Sequence, residues 1–113
     1  MKAEAIYRGL RTPNGALVTC DGKQLQTRTD LRKYSTTDFE WGHDGAGANQ
    51  LALAILADFC GDDKAMDLHQ TFSRDIVSSL GSMKWEMNSA MLIEWVRKAL
   101  KEQKQGAGTG NFV

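Results

Sequence analysis

The chain of 113 residues, 42% hydrophobic and 25% charged, is sized for one domain with one hydrophobic core and has the composition of an ordinary globular protein. Fourteen basic and fourteen acidic residues cancel, which argues against a dedicated nucleic-acid module and against a DNA mimic. The longest apolar run, residues 51–57, is far too short to cross a bilayer, and Met1-Lys2-Ala3-Glu4 carries no apolar signal core, so the expected location is cytoplasmic.

The N-terminal third reads as extended structure. Ile6 and Tyr7 lead into a Pro13-Asn14-Gly15 turn and the apolar run Ala16-Leu17-Val18-Thr19-Cys20, a hairpin pattern. Asp21-Gly22 tolerates the positive φ of a second tight turn, and residues 23–27 can return as a third strand. Such a small sheet needs helices on one face. Residues 29–38 lack a period and form a connection to Phe39-Glu40-Trp41, a short extended piece with both rings inward.

A glycine-rich loop, Gly42-His43-Asp44-Gly45-Ala46-Gly47, precedes a helix over residues 48–59 that is apolar nearly all round and therefore central. Gly61 closes it. Asp62 is the expected N-cap of a second helix over residues 63–80, with Ala65, His69, Phe72, Ile76 and Leu80 along its inner stripe and Met66 and Val77 beside it. A short extended piece at Lys84-Trp85-Glu86-Met87 leads to Asn88 as N-cap of a third helix reaching about Lys104, with Leu92, Trp95, Val96, Ala99 and Leu100 inward. The expected fold class is α+β: an N-terminal antiparallel β-meander of two or three strands packed on three α-helices, one domain over residues 1–104 with a flexible tail at 105–113.

Three groups of residues stand out as candidate binding positions. Arg8, Arg11, Arg28, Arg32 and Lys33 make the segment 8–33 basic, six cations against two acids. Asp62, Asp63 and Asp67 belong to the acidic segment 38–75, eight acids against two cations. Segregation of this kind can steer a charged partner to one face, though solvated faces that neutralise each other are commoner. Trp41, Gly42, His43, Asp44, Gly45 and Gly47 form the third group, where free N–H groups at a helix N-terminus could attract a phosphate or carboxylate. The loop matches neither the Walker pattern nor the dinucleotide fingerprint.

No catalytic constellation is evident. Glu40, His43 and Asp44 supply only a minimal acid/base set, and no Gly-x-Ser-x-Gly elbow occurs. Two scattered histidines and two distant cysteines do not make a zinc site, so no metal and no cofactor are expected. Cys20 and Cys60 suit a reducing compartment as small apolar residues, and His69 suits a packed, hydrogen-bonded position at the core edge.

Tyr7-Arg8-Gly9, then Phe39-Glu40-Trp41-Gly42, Gly45 and Gly47, then Gln50-Leu51-Ala52-Leu53-Ala54-Ile55-Leu56-Ala57-Asp58 resemble a family of small bacterial and bacteriophage proteins known only as a domain of unknown function. The resemblance spans roughly residues 5–100 and implies a bacterial or prophage accessory protein. On that basis the leading expectation is a non-catalytic protein that binds a host protein complex, for example as an inhibitor of a bacterial defence system. The alternative is a nucleic-acid or nucleotide-binding module using the basic sheet and the glycine loop. No membrane role is expected, and the sequence leaves the oligomeric state open.

Overall fold

The computed structural model describes residues 1–34 and 39–109, with side chains to 103; residues 35–38 of the expected connection and 110–113 of the expected tail lie outside the described residues. Strand β1 (Ile6–Thr12) turns at Pro13-Asn14 into β2 (Gly15–Cys20), and β2 turns at Asp21-Gly22 into the two-residue β3 (Lys23–Gln24). Asp21 and Gly22 have φ of 52° and 83°, the pair of positive values that a two-residue hairpin turn with the right twist requires. Helix α1 (Ala46–Cys60), helix α2 (Asp62–Asp75), a single 3-10 turn (Val77–Ser79), strand β4 (Lys84–Asn88) and helix α3 (Ser89–Thr109) complete the chain.

The α+β fold is as expected, but the sheet has four antiparallel strands in the order β3-β2-β1-β4. The Lys84 piece, anticipated only as a short extended segment, returns after the helices to pair with β1 at the edge of the sheet, placing Trp85 opposite Gly9 and Met87 opposite Tyr7. In turn β3 is shorter than its expected span of 23–27. After Leu25, whose N–H donates to the Val18 carbonyl at 2.8 Å, the chain leaves the sheet and passes through Arg28 at a φ of 55°.

Period-two alternation sends Tyr7, Gly9, Val18, Cys20, Trp85 and Met87 to the helical side. There they meet α1, in which residues 50–57 are all buried. Gly9 carries the closest approach. The Trp85 indole lies across it, in the space that a Cβ on Gly9 would occupy, and Trp85 meets Trp41 edge to face at 5.7 Å between ring centroids.

Helices α1 and α2 share Gly61 as C-cap and N-cap. This corrects the expectation for Asp62. With one residue between the helices, the cap position falls on Gly61, and Asp62 begins α2 with its carboxylate held by Arg28 at 3.0 Å. Helix α2 also stops at Asp75, before the expected end at Leu80, and buries Ala65, Leu68, His69, Phe72 and Ser73, which turns Met66 outward. Helix α3 starts as anticipated: the Asn88 side chain accepts the Met91 N–H at 3.0 Å, the N-cap bond to the third helical residue. It continues to Thr109, past the expected end at Lys104.

Candidate functional site

Gln50 determines where the basic segment lies. It sits fully buried in the apolar α1, and its Nε2 donates to the Thr27 and Arg32 carbonyls at 2.7 and 3.0 Å while its Oε1 accepts the Tyr34 N–H at 2.7 Å. One side chain thus ties down residues 27–34, satisfying main-chain groups that no strand or helix pairs. Tyr34 in turn donates its hydroxyl to His69 Nε2 at 2.7 Å, while His69 Nδ1 donates to the Ala65 carbonyl at 2.8 Å. His69 is buried and doubly bonded, the core-edge position anticipated for it.

The structure brings the five basic candidates to several separate places. Arg8 lies on the outer face of the sheet, paired with Glu86 at 2.7 Å. Arg11 stacks over the Trp41 ring at 4.5 Å, pairs with Glu40 at 3.0 Å and donates to the Ser82 carbonyl at 2.6 Å. Arg28 pairs with Asp30 and Asp62 at 3.0 Å, and this network pushes its pKa up, through Asp30 first and then Asp62. Arg32 covers the Tyr34 ring at 4.8 Å, and Lys33 is exposed. Arg28 and Asp62, assigned by sequence to opposite charged segments, therefore neutralise each other. Asp63 and Asp67 remain exposed on α2, without an ion pair among the described residues.

The glycine loop is a structural joint. Trp41 is buried, with its indole N–H donating to the Ser82 carbonyl at 3.2 Å, and the Gly42 N–H donates to the Val77 carbonyl at 3.0 Å. Gly47 packs so close to the Glu40 side chain that a Cβ there would lie 2.7 Å from it. His43 Nδ1 meets the Asp44 carbonyl at 2.9 Å, and His43 Nε2 lies 3.7 Å from Glu40. Asp44 and Gly45 are exposed, and α1 begins without a side-chain cap.

Two features escaped sequence reading. The first is the uncovered face of the sheet. Leu10 and Leu17 are direct cross-strand partners there, 46% and 39% exposed. Arg8, Thr19, Lys84 and Glu86 join the two leucines around a shallow concavity of about 560 Å³. Once Arg8 and Glu86 have neutralised each other, Lys84 is the unpaired charge of this rim among the described residues. The signal was present in the alternation of β1, Tyr7 and Gly9 inward and Arg8 and Leu10 outward.

The second is a polar cavity of about 360 Å³ between the N-terminus, the β2–β3 end of the sheet and α1, lined among others by Lys2, Cys20, Arg28 and Asp58. The Tyr7 hydroxyl donates to Asp58 Oδ2 at 2.7 Å, and Lys2 Nζ donates to the same oxygen at 2.9 Å. Burial pushes the Asp58 carboxyl up, but hydrogen bonds from Lys2, Tyr7 and Cys20 outweigh it and hold the pKa below the ordinary 3.8. Burial and then the bond to Asp58 push the Tyr7 phenol well up. A single carboxylate following the apolar run of α1 was the available clue, because a charge at such a position needs a partner.

Fold and surface together define a two-layer α+β domain with helices on one face of its sheet and an open, partly apolar face on the other. Over residues 7–98 the chain matches the model of DUF6166, a family of unknown function, and it belongs to that family. No curated protein and no solved structure matches it. Among the described residues no helix is long and apolar enough to cross a membrane.

Proposed function

We propose that the chain is a non-catalytic binding domain that docks a partner protein on the open face of its sheet. The supporting observation is the exposed Leu10–Leu17 pair at the middle of a face that no helix covers among the described residues, since contiguous exposed apolar surface rimmed by polar residues marks interaction sites. Seven residues of β1 span roughly 23 Å, and three strands roughly 14 Å, a footprint suited to one helix about 10–12 Å across. The partner element is therefore an amphipathic helix with an apolar stripe over Leu10 and Leu17 and an acidic flank toward Lys84. In the narrower reading drawn from the sequence resemblance, the chain is a cytoplasmic accessory protein of phage or mobile-element origin. Its partner is then a host assembly such as a defence complex that it inhibits.

The nucleic-acid alternative has less support. Sheets that grip single strands present aromatic rings for base stacking, whereas Tyr7 lies wholly on the core side and the basic side chains are dispersed and mostly paired.

The test is a tagged pull-down from bacterial lysate comparing the native chain, Leu10→Asp/Leu17→Asp and Arg32→Glu/Lys33→Glu. A stoichiometric protein that survives nuclease, vanishes with the leucine variant and persists with the charge variant supports the reading. Capture indifferent to Leu10 and Leu17 overturns it, as does an eluate of nucleic acid emptied by salt.

A further inference from the structure

Outside the docking face, the polar cavity places an amine and a thiol in contact. Lys2 Nζ lies 3.9 Å from Cys20 Sγ, held there by its 2.9 Å bond to Asp58. The Lys2 main-chain N–H donates to the Phe59 carbonyl at 3.1 Å, so the N-terminal segment is pinned to the end of α1 while Cys20 ends β2. Cys20 is buried in protein yet lines a cavity wide enough for a small oxidant. The other cysteine differs. Cys60 Sγ donates to the Leu56 carbonyl at 3.2 Å and has no amine in hydrogen-bonding contact among the described residues.

We propose that Lys2 and Cys20 are a modification site, at which a peroxide oxidant joins Nζ to Sγ through one bridging oxygen. A bridging atom suits a 3.9 Å gap better than a direct S–N bond, which would have to close it much further. The first peroxide converts the Cys20 thiol to a sulfenic acid and leaves as water. The Lys2 ammonium passes its extra proton to the neighbouring Asp58 carboxylate and on to solvent. The second peroxide then takes one hydrogen from the sulfenic O–H and one from the amine as the O–N bond forms, and leaves as two waters. Across both steps one S–H and one N–H bond are lost, S–O and O–N bonds are made, sulfur and nitrogen are oxidised, and two peroxides are reduced to three waters. The product staples the N-terminal segment to the sheet. Burial is the main cause that pushes the Cys20 thiol up, so the first step is slow at neutral pH and calls for excess peroxide.

The experiment treats the full chain carrying Cys60→Ser with hydrogen peroxide and follows intact mass, with and without dithiothreitol. The expected product is heavier by about 14 Da, one oxygen gained and two hydrogens lost. It resists trypsin after Lys2, reverts with dithiothreitol and is absent from Cys20→Ser and from Lys2→Ala. Oxygen additions on the tryptic peptide that holds Cys20, which contains no methionine, without the loss of two hydrogens overturn the proposal, and so does a 14 Da product that persists in Lys2→Ala; sulfoxides of the exposed methionines are separated by the same peptide map. Circular dichroism of each variant before treatment confirms that the site compared is folded.

Discussion

The indole of Trp85 lies across Gly9, its partner on the neighbouring strand, and fills the space that any side chain at position 9 would need. The indole Nε1 is buried there without a hydrogen-bond partner among the described residues, so the ring is placed by packing and by its edge-to-face contact with Trp41. Gly9→Ala must displace the ring or the strand, and overpacking of this kind costs about 1–3 kcal/mol. Urea unfolding followed by tryptophan fluorescence should show that loss together with a changed native emission. An unchanged midpoint would mean that Trp85 has room to move.

The cavity makes stability depend on pH at both extremes. Asp58 titrates below its ordinary 3.8 in the folded chain, so its contribution is present above pH 3.8 and lost as pH falls through the lower folded value. Tyr7 is raised above 10.0 by burial and by Asp58, and Lys2 above 10.5 by its bond to Asp58. Their contributions are complete below those values and lost as pH rises toward the folded ones. Tyr7→Phe should cost about 1.5–3 kcal/mol at pH 7, the range for a hydrogen bond to a charged group, and should flatten the alkaline decline. Thermal melts from pH 3 to pH 11 read both effects.

Gln50→Leu leaves the Thr27 and Arg32 carbonyls and the Tyr34 N–H without their side-chain partner. An orphaned group costs about 1–3 kcal/mol where it is buried, and less at these part-buried positions, which water can reach. The expected result is a destabilised fold in which hydrogen exchange at the Tyr34 amide speeds up far more than at the β1 amides. Uniform acceleration would show that the contact serves the whole core and not residues 27–34.

Leu10→Ser/Leu17→Ser should behave in the opposite way. These side chains are well exposed, and surface substitutions away from special features usually stay within about 0.5 kcal/mol. An unfolding midpoint close to that of the native chain, alongside lost partner capture, separates a docking role from a folding role. A large loss of stability would place the two leucines among the residues that hold the sheet.

Much of the fold was legible locally. The Pro13-Asn14-Gly15 and Asp21-Gly22 turns, the largely apolar α1, the Asn88 cap and the buried rings of Phe39 and Trp41 follow from backbone preferences and short-range periodicity, and each lies where the sequence put it. The candidate site was less legible. Arg28 and Asp62 looked like members of two opposed patches, because a charge count along the chain carries no information about which residues 34 positions apart share a hydrogen bond. The stretches that carried the family resemblance proved largely architectural: Tyr7 anchors Asp58, Gly9 accommodates Trp85, Gly47 clears Glu40 and Gln50 holds residues 27–34.

By itself the sequence determined the order of the main elements and most of their inward sides, though not the ends of β3 and α2 or the cap of α2, because turn chemistry, capping and alternation act over a few residues. Only the tertiary structure decided that β4 pairs with β1, which face of the sheet stays bare, and that Lys2, Tyr7, Cys20 and Asp58 meet in one cavity. Those outcomes depend on burying one shared core beneath α1, and the free energy of that burial belongs to contacts between distant segments, which no local stretch of sequence encodes.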